Sequence, residues 1–99
     1  MTVNSVYECF LIIKGITVFE NYEQKKMFVF VCSSIICPLS IGGDRLSPKV
    51  RERISSVTGL KPTRISDILS EVRISYKNYK SFKSEADYLY NSIKRSLTS

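Results

Sequence analysis

Histidine and tryptophan are absent from this 99-residue chain, and glycine, proline and cysteine are scarce, at four, three and three. Without histidine, the side chain that most often moves protons near neutral pH is missing. The nine carboxylates include no close pair with an obvious shared site, and a cysteine nucleophile would have only lysine as its base. No enzymatic activity is expected. Cys9, Cys32 and Cys37 form no CxxC pair, and no histidine completes a zinc set, so neither metal nor cofactor is expected. An odd number of cysteines fits free, buried thiols. A Cys9–Cys37 disulfide stays open if the first half folds back on itself near residue 23. Gly42 and Gly43 are followed by no GK[ST] and fit no GxGxxG spacing, which excludes a phosphate-binding loop of those kinds. Long apolar runs are missing too. The longest, Met27 to Ile41, is broken by Ser33, Ser34, Pro38 and Ser40. It falls short of the roughly 18 residues expected of a spanning helix. The opening MTVNSVYE lacks the basic region of a secretory signal. A soluble, cytoplasmic protein with no membrane partner is the expectation.

Hydrophobic residues make up 43% and charged residues 24%, the balance of a globular chain. Its length fits one domain over residues 1–99, with one small core. The formal charge of +6 is unevenly spread. Residues 1–43 hold three bases against three acids, and residues 44–99 hold twelve against six. The whole excess sits in the second part, as a footprint for phosphates would. Residues 1–43 read as β-rich. Val6 to Phe19 is β-branched and aromatic, with a bend or bulge at Gly15. Glu20 to Lys26 is a polar turn, and Met27 to Cys32, MFVFVC, is a second strand. Ile35 to Ile41 suggests a short edge strand limited by Pro38, and Ile41 to Asp44 a turn. The fold class predicted is α+β, an N-terminal antiparallel β-hairpin or small sheet followed by helices. The sheet would serve either as core or as a dimerisation platform.

The basic part is built around RERISSVTGLKPTRISDILSEV, Arg51 to Val72. Val50, Ile54 and Val57 share one helical face. Gly59 suits a left-handed helix end, and Pro62 suits a first helical turn. Ile65, Ile68, Leu69 and Val72 form a second apolar stripe. Ser47 and Pro48 mark the start of the first helix, giving a helix-turn-helix over residues 48–72. The run Ile54 to Leu69 is similar to the helix-turn-helix of bacterial and archaeal transcription regulators. The matching residues are Ile54, Ser55, Gly59, Leu60, Ile65, Ser66 and Ile68-Leu69. Ser55 stands where that family prefers alanine. Asp67 stands where a basic or amide side chain is more usual, and would suit a cytosine amino group.

The resemblance implies binding of double-stranded DNA, with the second helix in the major groove and a role in transcription regulation. Lys61, Thr63, Arg64, Ser66, Asp67 and Ser70 would face base edges or flanking phosphates. Arg51, Arg53, Arg73, Lys77 and Lys80 would contact phosphates. From Arg73 to Lys83 either the second helix runs on, or a small wing forms as in winged-helix proteins. Ser84 to Asp87 resembles a capping box opening a last helix, with Ala86, Leu89, Tyr90, Ile93 and Leu97 on one face. The composition is also similar to small orphan proteins of archaeal viruses and plasmids. That favours a regulator of mobile-element genes or, alternatively, a protein-interaction module or host-factor inhibitor meeting an acidic partner.

Overall fold

The computed structural model describes residues 2–38 and 46–98. Every regular element among them is a helix. In order they are α1 (Val3–Lys14), α2 (Tyr22–Ile36), α3 (Pro48–Thr58), α4 (Pro62–Asn78) and α5 (Lys80–Thr98). The expected α+β architecture is therefore wrong. Val6 to Phe19 and Met27 to Cys32 are not the strands of a hairpin: Val6 to Lys14 lie in α1, Gly15 to Phe19 in the connection that follows, and Met27 to Cys32 in α2. The turn expected at Ile41 to Asp44 lies outside the described residues, as does the end of the expected edge strand. Ile35 and Ile36, at its start, belong to α2.

The reason lies in α2. Met27 through Ser33 are buried in an unbroken run. A helix apolar on all sides must be covered on all sides, and α2 packs against α1, α4 and α5. A short apolar run bounded by polar residues looks the same for a buried strand and a buried helix. The ends decide. Asn21 caps α2, its Oδ1 accepting from the Gln24 amide at 2.9 Å. What reads as a polar turn is thus a helix start. In the same way Gly15 is not a bulge. It ends α1 in the left-handed region at φ 72°, and its N–H bonds back into the last turn. Thr2 opens α1 with a reciprocal capping box to Ser5. β-Propensity is a weak preference that caps and packing override.

The α1–α2 hairpin closes on aromatic rings. Phe28 touches Tyr7, Phe10 and Phe19 at centroid distances of 5.8, 5.5 and 5.4 Å. On α1, Val3, Val6 and Phe10 are buried at i, i+3 and i+7. Three more apolar stripes complete the core. Ile54 comes from α3, Ile65, Ile68, Leu69 and Val72 from α4, and Ala86, Leu89 and Ile93 from α5. The cysteines are free: Cys32 is buried, and Cys9 and Cys37 are half-buried. Burial, helped by the neighbouring Cys37, pushes the Cys32 thiol up to about 12.

After Val72 the chain forms no wing. α4 runs on to Asn78, and α5 begins only one residue later. Ser84 to Asp87 lie inside α5 rather than at its start. Asp87 instead accepts from the Tyr76 hydroxyl at 2.7 Å and from Lys83 Nζ at 3.2 Å. The Tyr76 hydrogen bond, with that of Lys83, holds the Asp87 carboxyl below its ordinary value despite partial desolvation.

Two outcomes follow. Phe28→Ala removes the ring at the centre of the aromatic cluster and should cost about 3–5 kcal/mol in chemical denaturation. Because the Asp87 pKa is depressed in the folded state, its contribution is present above the unfolded value, near pH 4. It is lost as pH falls through the lower folded value. Asp87→Asn should therefore be less stable than the parent at neutral pH by about 0.5–1 kcal/mol. The two should converge in strong acid.

Candidate nucleic-acid interface

The bend between α3 and α4 is built from a glycine and two hydroxyls. Gly59 has φ 76° and ψ 8°, and its N–H donates to the Ser55 carbonyl at 2.8 Å. The Thr58 hydroxyl donates to the Ile54 carbonyl at 2.7 Å and accepts from the Leu60 amide at 3.2 Å. The Ser55 hydroxyl donates to the Leu60 carbonyl across the corner. Ser55 thus ties the turn together. Pro62 then opens α4, whose first backbone bond runs from the Ile65 amide to the Lys61 carbonyl at 3.1 Å.

On α4 the buried stripe leaves an opposite face to solvent. Lys61, Thr63, Ser66, Asp67 and Ser70 are exposed, as are Ile74 and Lys77 further along. Five of the six residues expected near base edges therefore share the N-terminal half of one open face or its edge. Their side chains are short apart from Lys61, so the backbone of α4 can approach another surface closely. The sixth, Arg64, is turned aside. Its Nη1 lies 3.3 Å from Glu71 Oε1, and its guanidinium sits 5.4 Å from the centre of the Tyr22 ring. Lys26 Nζ, 3.4 Å from Glu71 Oε2, joins the same cluster. Arg64 fastens α4 to the start of α2.

The expected phosphate contacts do not form one patch. Arg51 is half-buried between the two helices of the motif, with Nη1 3.4 Å from Ser66 Oγ. Arg53 points the other way round α3. With Lys49 and Val50 it lines a cavity of about 330 Å³ beside Thr2, Val3 and Asn4 at the start of α1. Arg73 is half-buried on α4, whereas Lys77 and Lys80 are exposed near the α4–α5 junction. Lys49 was not among the residues expected to meet phosphates, and the structure puts it beside Arg53. Its spacing of four from Arg53 was the available signal, since that spacing puts both on one side of a helix. The outward face of α4 carries Lys61 and Lys77 against Asp67, so most of the positive excess flanks this face instead of covering it.

Among the described residues no helix is long and apolar enough to cross a membrane. Comparison of the chain with protein-family models, with curated proteins and with solved structures finds no match.

A Cβ at position 59 would meet no atom within 4 Å, so the left-handed backbone alone opposes a side chain there. Gly59→Ala should cost about 1–2 kcal/mol in chemical denaturation, and Gly59→Asn less, because asparagine visits this region more readily.

Proposed function

We propose that the chain binds double-stranded DNA through α3 and α4, with the first half of α4 entering the major groove. The observation that carries the reading is the exposed row of Lys61, Thr63, Ser66, Asp67 and Ser70 directly after a glycine-bent corner. Hydroxyls suit either base edges or phosphate oxygens, and Asp67 suits a cytosine amino group. Lys61 at the start of α4 adds charge where the helix N-terminus already favours anions. Ser66, with Arg51 bonded behind it, is the best-supported of the short side chains. Transcription regulation inside the cell is the role that fits such binding, and a two-fold dimer would read a palindromic site.

One observation favours a different reading. Ile74 is 59% exposed in the C-terminal half of the outward face of α4, and Tyr79 and Tyr88 are similarly open. An apolar residue there suits a protein partner better than a phosphate backbone.

Gel shifts on random-sequence duplexes across a salt series separate the two. DNA binding predicts an affinity that falls steeply with salt. Lys61→Ala should weaken binding to all sequences and flatten the salt slope by about 1. Arg64→Ala should mainly lower stability, because its partners are Tyr22 and Glu71. Absence of binding at low salt overturns the DNA reading and leaves the protein partner.

A further inference from the structure

α4 and α5 are separated by a single residue. Tyr79 is extended, at φ −119° and ψ 111°, and 61% exposed. Both of its backbone groups are already bonded as they would be inside a helix. Its N–H donates to the Ser75 carbonyl at 2.9 Å, and its carbonyl accepts from the Lys83 amide at 3.0 Å. The sequence across the joint, Tyr76 to Ser81, contains neither glycine nor proline. Nothing in the covalent chain therefore requires a break. In a continuous helix the amides of Lys80, Ser81 and Phe82 would bond the carbonyls of Tyr76, Lys77 and Asn78. With Tyr79 extended that register is interrupted, and these groups become helix-end groups.

What holds the bend is packing further along. Ala86, Leu89 and Ile93 bury the inner face of α5 against α1, α2 and α4. Lys14 Nζ meets Glu85 Oε1 at 2.7 Å, and Tyr76 and Lys83 clasp Asp87. The core packing, the Lys14–Glu85 pair and the Tyr76–Asp87 bond join α5 to the rest of the protein, while Lys83 meets Asp87 within α5. They are satisfied equally well by the α5 of a second copy.

We propose that the chain forms a dimer by exchanging α5, with Tyr79 turning helical so that α4 and α5 become one helix from Pro62 to Thr98. Each copy then covers the other's α1 and α2. The exchange keeps the core contacts of α5 and the Tyr76–Asp87 bond, now made between copies, leaves Lys83–Asp87 within each α5, and restores the interrupted backbone register at each joint. Short joints of this kind are where exchange of identical elements arises. No nucleic acid is involved, so the outcome is independent of the DNA reading.

The test uses the full chain. Isotopically heavy and light copies are unfolded together, refolded across a concentration series and separated by size. A carbodiimide then joins Lys14 to Glu85 where they meet, and mass spectrometry reads the linked peptides. Exchange predicts that in mixed dimers the Lys14–Glu85 links pair heavy with light, while the monomer gives only like pairs. Tyr79→Ala and Tyr79→Gly provide the second measurement. Alanine favours the helical joint over glycine by roughly fivefold per chain, so their dimerisation constants should differ by about 25-fold. A protein that stays monomeric at every concentration, in the parent and in Tyr79→Ala, overturns the proposal. So does a dimer that carries only like pairs.

Discussion

The constraint on which the rest depends is that α2 has no face it can show to water. Its middle two turns, Met27 to Ser33, are closed to solvent on every side. One neighbouring helix buries only one stripe of such an element, so several are needed. α1 supplies an aromatic wall, and α4 and α5 supply aliphatic stripes. α3 does not pack broadly on α2. It leans on α1 and α4, which leaves it at the margin together with the bend that follows it. The position of the candidate site is thus a consequence of how the buried helix is surrounded.

α4 performs two tasks that pull in different directions. Its inner stripe, Ile65, Ile68, Leu69 and Val72, is core. Its outer row is polar and small. Arg64 over Tyr22 and Glu71 against Lys26 on one flank, and Arg51 against Ser66 on the other, fix the roll of the helix about its axis. Partly exposed ion pairs of this sort add little stability each. Their effect is to determine which residues of α4 face outward. The short hydroxyl side chains there have little rotamer entropy to lose on contact.

The two helices within residues 48 to 72 are legible in the sequence, because three independent signals agree there. Pro48 and Pro62 mark starts, Gly59 marks an end, and the apolar spacing between them has the helical period. The stripe on α5 was legible for the same reason, although its start was not. Lys80 to Lys83 continue the helix without any capping sequence, and Ser84 to Asp87 imitate a cap that is not used. The first half was misread because propensity and periodicity conflicted with the punctuation. Gly15 and Asn21 are helix-end residues, but both also suit turns between strands. A run such as MFVFVC has no polar position to reveal its period. At the site, sequence spacing gave the outward row of α4 but not the fate of Arg64. Its partners, Tyr22 and Glu71, lie 42 residues before and 7 after it. Arg51 and Arg53, two apart, necessarily point to different sides of one helix.

The closure of the α1–α2 hairpin on Phe19 and Phe28 bears on how the chain acquires its shape during synthesis. Those contacts span few residues and incur little loop-closure entropy, so they can form while later segments are still being added. The final cover, by contrast, bridges 71 positions from Lys14 to Glu85. Until it arrives, α2 shows water a run of Met27, Phe28, Val29, Phe30, Val31 and Cys32, uncharged and with strong preference for extended backbone. Such a run is the kind that stacks into intermolecular sheets. The last helix is therefore also a guard, since its docking helps to withdraw that run from water.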